Sequence, residues 1–361
     1  MTSDTALPPA PGAQAPAPTT ETQRRWARQH SIGTLWETWG ITAVLVVLLA
    51  ASPLLSSDFL TVANLQSVLR ESAYLGIVAA AMTLAVMNGT FDLSVGGQLA
   101  LVSVTTLMGY AAGGTGLAAL VAVLTGMVCG AVNGALVTAM RVPPFVATLG
   151  MLFVFRGVAY VLTQDGPKTL PYSEIGSPFV KIGGLNIAGI PLPFLIMLAC
   201  YGAVWVLLRR TATGRRIVAF GSSPEAARFC GISVHRIRML IFVVIGVSVG
   251  IAALTYISRV WTADGSAQDG FELRVIAAVV LGGTSLKGGK GTLIGTFSAV
   301  LLVGVLNDLL VSRGVDASYQ RVVLGCVLIT ALAIDGLRTR FAAPGSFARM
   351  LPRRRREAPA P

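Results

Sequence analysis

Charge is scarce in this sequence. Its 361 residues include 16 acidic side chains and 2 histidines, and nothing charged occurs between Asp92 and Arg141. A proton-driven carrier needs a buried chain of Asp, Glu and His. His30 and His235 both fall outside the apolar runs, which counts against proton coupling. Cysteine is scarcer still. Residues 129, 200, 230 and 326 show no close pairing and no metal-ligand spacing, so they read as free thiols and no metal site is expected. Aromatics are few and not interleaved with a basic stripe, so the net charge of +12 does not read as nucleic-acid binding. A cleavable leader pattern is absent too. The first 36 residues are polar and rich in Ala, Pro and Thr, and the apolar run after them reads as an uncleaved anchor.

What remains is apolar. Hydrophobic residues make up 54% of the chain and charged ones 12%, which places it in the all-α, polytopic membrane class. A membrane span needs about 20 apolar residues. On that measure the spans fall at 38–57, 72–88, 93–112, 116–139, 144–163, 191–208, 239–257, 292–311 and 319–337. The uncharged run from Leu93 to Met140 is too long for one crossing, and Gly113-Gly114-Thr115-Gly116 divides it. An eighth span in chain order has only the uncharged run Val275–Leu286. Such a stretch rises about 18 Å as helix against a core of about 30 Å. It therefore begins before Val275 or is a discontinuous half-helix, and about ten spans result. The membrane-embedded body runs from 37 to 338, between a tail at 1–36 and a basic tail at 339–361. Twenty basic residues lie on segments that share a side with the N-terminus and seven lie opposite, so both termini are expected in the cytoplasm.

The chain also echoes itself. Phe91-Asp92-Leu93-Ser94-Val95 returns as Phe271-Glu272-Leu273-Arg274-Val275, and Gly130-Ala131-Val132-Asn133 returns as Gly304-Val305-Leu306-Asn307. Thr148-Leu149-Gly150 matches Val323-Leu324-Gly325, and the three offsets lie between 174 and 180. The halves, spans 2–5 and 7–10, are five spans apart. An odd number inverts them, and inverted repeats place a substrate path at their interface.

Four features carry candidate function. In Asn88-Gly89-Thr90-Phe91-Asp92, one carboxylate sits at the seam of two membrane-length runs. The topology puts Asp92 on the cytoplasmic side, where a carboxylate costs little, and Glu272 near the external mouth. Asp92 then reads as a packing or gating element rather than a solute ligand. Arg156 lies within the fifth span, and an intramembrane charge is either functional or satisfied by carbonyls and snorkelling. Asn88, Phe91, Asp92, Asn133, Arg156 and Asn307 are the path or gating candidates by polarity and position. The glycines 282, 283, 288, 289 and 291 resemble a phosphate loop, but Thr284 and Gly291 occupy the places that loop reserves for glycine and Ser/Thr. They read instead as a tight turn.

The longest basic loop, 209–238, contains Ser222-Ser223-Pro224-Glu225-Ala226-Ala227-Arg228-Phe229-Cys230-Gly231. Ser222 with Glu225 matches a capping box, Pro224 suits the first turn and Gly231 a C-terminal stop. A helix this short is marginal alone. It is expected to dock on a cytoplasmic protein, or else to rest on the lipid surface.

At these motifs the sequence resembles the permease subunits of ribose/xylose-type bacterial ABC importers. The likeness runs from about Phe59 to Leu337 and includes Phe91-Asp92-Leu93-Ser94-Val95-Gly96, Arg156-Gly157, Pro224-Glu225-Ala226-Ala227-Arg228 and Gly231-Ile232. It is densest from Ala277 to Leu286, with Gly288-Gly289, Gly291 and Gly304-Val305-Leu306-Asn307. Gly97 and Phe91 depart from the family's usual serine and isoleucine. The resemblance implies a multi-pass protein of the bacterial plasma membrane with no catalytic residues of its own. It implies a second permease copy, a cytoplasmic ABC ATPase carrying ATP and Mg, and an extracytoplasmic sugar-binding protein delivering a pentose or hexose. It also implies that the segment 222–231 is what docks into the ATPase. Related importers take branched-chain amino acids, nucleosides or a signalling sugar, and an ion-coupled carrier is the rival from another class.

Overall fold

A computed structural model describes residues 39–330, apart from 56–58, 232, 287, 317, 321, 324, 327 and 328. The two expected tails and much of the tenth span lie outside the described residues, as do Lys287 and Ile232. The structure is helical almost throughout. Helix α1 is Trp39–Leu55, α2 is Val62–Met87, α3 is Val95–Thr138 and α4 is Pro144–Thr163. Next come α5 (Pro178–Gly184), α6 (Leu192–Arg210), α7 (Ala212–Ser222) and α8 (Pro224–Phe229). The described helices with printed bounds end with α9 (Val234–Val260), α10 (Phe271–Leu281) and α11 (Leu293–Ser312). Two-residue strands β1 (168–169) and β4 (262–263) pair, as do β2 (186–187) and β3 (190–191).

Local chemistry marks many of the helix ends. The Thr61 hydroxyl accepts from the Asn64 amide at the start of α2, and Thr292 does the same for Gly295 at α11. Prolines occupy the first turns of α4, α5, α6 and α8, where a missing N–H costs nothing. Helix α3 is two helices, as expected. Gly113 and Gly114 leave helical geometry, and Gly114 takes a φ of +69° that a side chain would resist. The halves fold into an antiparallel hairpin, with Gly109 packed against Ala118 and Val121.

The bundle is built around α2, whose residues are buried continuously from Ser72 to Met87. Helices α9, α11, α6 and α10 surround it. Ser72 faces Gly304 and Thr83 bonds Thr296, so α11 runs antiparallel to α2. Tyr74 packs at a tilt on Tyr256, whereas Met87 meets Gly221 ahead of α9. Helix α9 therefore also opposes α2, the direction an inverted repeat demands of its leading spans.

The closest packing joins the second half of α3 to α9. A Cβ on Gly126 or Gly130 would overlap the carbonyls of Gly246 or Phe242, and one on Gly246 would overlap the Gly126 carbonyl. In lipid the hydrophobic effect does not drive helices together, so this backbone approach supplies the van der Waals contact instead. By contrast α4 and α6 leave most of their length uncovered, with Phe153, Val154, Val161 and Trp205 exposed.

Candidate functional site

The Asp92 turn is interior, not peripheral. Gly89 reverses the chain at a φ of +73°, and the Thr90 amide donates back to the Ala85 carbonyl. The segment 88–94 is thereby folded against the end of α2. Asp92 is fully buried, so the low cost expected of a carboxylate on the cytoplasmic side does not hold for it. Its Oδ1 accepts from the Ser94 amide at 2.8 Å and the Ser94 hydroxyl at 2.7 Å. Its Oδ2 accepts from the amides of Gln98 and Asn133, each at 3.0 Å. A buried carboxylate is tolerable only with such donors, and the N-terminus of α3 adds a favourable dipole. Asn133 also donates to the Ser94 hydroxyl at 2.7 Å, so the cluster pins the two arms of the α3 hairpin together.

The second correction concerns Glu272. Helix α10 has only 11 residues, about 16 Å of rise, and begins at Phe271, ahead of Val275, with Phe271 and Glu272 both buried. Glu272 reaches from there to Gly96, four residues beyond Asp92, where a Cβ would overlap its carboxylate. The echoed motifs thus adjoin one another rather than mark opposite faces. Arg156 joins them, paired through Nη1 with Asp269 and placing Nη2 3.4 Å from the same Gly96 position.

The other path candidates are distributed. Phe91 is half-buried, edge-on to Phe145 at 6.4 Å. Asn88 caps α2 and is buried with neither amide atom hydrogen-bonded. Asn307 lies apart from Asp92 and Arg156, donating to Glu71 at 2.8 Å beside a small recess that Ser72, Tyr74 and Arg274 also line. The recess has room for roughly one water molecule.

At the C-terminal end of α2, next to Asn88, lies a junction made of glycine. The turn after α10 takes positive φ at Gly283, Gly288 and Gly289, and the Gly289 amide donates to the Met87 carbonyl at 2.8 Å. Gly221, near the end of α7, sits so close that a Cβ would overlap that same carbonyl. Gly282 packs on Gly295 and Thr296, and Gly291 on Met87 and Thr284. The turn is therefore a wedge between α2, α7 and α11.

Helix α8 leads away from this wedge. It is shorter than expected and begins one residue later. Ser223 is its cap, accepting from the Ala226 amide, while Ser222 ends α7 with its hydroxyl on the Val218 carbonyl. The reason is α7 itself, an amphipathic helix inside the presumed loop, with Gly214, Ile217, Phe220 and Gly221 on its buried face. Within α8 only Ala227 turns inward, and Pro224, Glu225, Ala226 and Arg228 are exposed. Gly231 follows at a φ of +73°. Phe229 is 93% exposed, a residue not among the sequence candidates. An aromatic on the outer face of a marked short helix was the available signal. Gln98, four residues after Ser94 in an uncharged run, could likewise have been flagged. Nothing in the sequence pointed to Asp269.

Long apolar helices around a buried polar seam define a polytopic membrane protein. Among the described residues, no cluster of three or more His, Cys, Asp or Glu could hold a metal. The chain belongs to the family described as branched-chain amino acid transport system, permease component, which matches residues 64–332. Relatives include the ribose import permease protein RbsC of Escherichia coli (strain K12), 37% identical over 81% of this chain and 91% of that protein. The RbsC of Bacillus subtilis (strain 168) is 36% identical over 88% of this chain and 98% of its own length. The L-arabinose ABC transporter permease protein AraH of Azospirillum brasilense is 33% identical, over 83% and 87% respectively. No solved structure matches. The chain is thus a permease component and is not itself catalytic.

Proposed function

We propose that this chain is the membrane permease of an ATP-driven importer that moves a monosaccharide. The observation that carries the sugar is the set of similar proteins, named as permeases for ribose, L-arabinose and D-allose. In this reading a cytoplasmic ATPase docks on α8 and an extracytoplasmic binding protein delivers the sugar. Both termini face the cytoplasm, and a second permease copy covers the apolar face of α4.

Exposure of Phe229 beside Glu225 and Arg228 supports the docking role of α8. Closure of the ATPase would push α8 and α7, and the Gly221 contact would carry that push to Met87 and the glycine wedge. Helix α2 leads from there to the bundle centre. Alternating access then follows from tilting the two halves against each other.

The test is co-purification of the ATPase and binding protein that travel with the full chain. The binding protein is then titrated with D-ribose, L-arabinose, D-allose and L-leucine. Saturable binding of a monosaccharide supports the reading. Binding of leucine alone would instead favour the amino-acid transport that the family description carries.

A further inference from the structure

We propose that Arg156, Asp269 and Glu272 form a hydroxyl-binding site for the translocated solute at the N-terminal end of α3. The inference deepens the monosaccharide reading and rests on it. Its basis is an unfilled set of polar atoms. Glu272 is 8% exposed, and its Oε2 has no hydrogen-bond partner. Arg156 uses Nη1 on Asp269, but its buried Nε and Nη2 have none. Buried donors and acceptors are rarely left empty, and each such vacancy in a native protein calls for an explanation.

The chemistry of the set is specific. It offers one carboxylate oxygen and two guanidinium nitrogens within one small space. A hydroxyl both donates and accepts, so adjacent hydroxyls on one ring can satisfy both kinds of group at once.

Gly96 brings the groups together. Gly96 contributes no side chain where one would displace Glu272, and the first turn of α3 lies directly beneath. On the outer side Asp269 is 58% exposed, which gives the cluster an approach from the 264–270 segment. In the same segment Gly265 packs on the Tyr160 ring, tying that approach to α4. The two motifs of the internal echo therefore meet at a place where both halves touch the solute.

The experiment uses the complete importer in proteoliposomes with its ATPase and binding protein, and D-ribose, L-arabinose and D-allose as probes. Glu272→Gln and Arg156→Lys are expected to lower sugar moved per ATP hydrolysed by roughly tenfold. They should also change the ratio of uptake among the three sugars, since their hydroxyls differ in arrangement. Asp269→Asn, at an exposed position, guards against a variant that fails to assemble, and should shift the same ratio. An unchanged yield per ATP, or equal scaling of all three sugars, would overturn the site. Wild-type protein that moves none of the three would instead overturn the importer reading itself.

Discussion

Asn133 donates its side-chain amide to the Asp92 carboxylate across 3.0 Å, joining two residues 41 positions apart in the chain. The bond crosses the two arms of a helical hairpin whose turn is Gly113-Gly114. It also explains why a carboxylate survives at full burial. Asp92 accepts four hydrogen bonds, and hydrogen bonds to a charged group contribute about 1.5–3 kcal/mol each.

Asp92→Ala should therefore destabilise the permease by about 2–4 kcal/mol, because Gln98 and Asn133 lose their acceptor while staying buried. Asp92→Asn, which keeps one acceptor oxygen, should fall between it and wild type. Thermal unfolding in detergent, followed by loss of the monodisperse species, would read the order. An Asp92→Ala protein as stable as wild type would remove the hairpin-lock assignment.

The glycine interlock makes a second demand. Gly126→Val places two methyl groups against the Gly246 carbonyl, and such overpacking costs about 1–3 kcal/mol or more. Gly116→Val, at a position with open space around it, is the matched control. Membrane yield and melting temperature should drop for the first and hold for the second.

Gly221 tests transmission rather than folding. Gly221→Val would force α7 off the Met87 carbonyl without touching α8. ATPase association should persist while sugar uptake falls by roughly tenfold, the size of a coupling loss of about 1–2 kcal/mol. Uptake and association falling together would place the residue in the docking surface instead.

Phe229 should behave as an anchor for the ATPase. Replacing a central interface aromatic typically costs 2 kcal/mol or more, or about thirtyfold in affinity. Phe229→Asp should abolish co-purification of the ATPase while membrane insertion is unchanged. Retention of the complex would leave the exposed ring without a partner.

Much of the fold could be read from residue patterns, and the reasons are physical. Helix α4 occupies 144–163 as expected, because Pro143 cannot extend it backwards, Pro144 suits its first position and Gln164 ends it in left-handed geometry. The split at Gly113 was equally plain. Helix α2 starts ten residues earlier than hydropathy placed it, because Arg70 and Glu71, which end the uncharged run, are carried within the helix and bond Asn186 and Asn307. Helix α7 was hidden by its arginines, which mimic a loop although Ile217, Phe220 and Gly221 keep a helical face. Within the candidate site, Arg156 and Asp92 were visible as isolated charges. Their surroundings were not, since the approach of Glu272 to Gly96 depends on where a half-helix begins in space.

The measurement that bears most directly on the account is ATP-dependent uptake of radiolabelled D-ribose, L-arabinose or D-allose by cells carrying the full permease with its partners. The account predicts saturable uptake that survives an uncoupler. It predicts loss of that uptake in the Glu225→Lys, Arg228→Glu double variant, with membrane insertion intact. Uptake that continues in the double variant, or that collapses with the uncoupler and ignores loss of the ATPase, would contradict it.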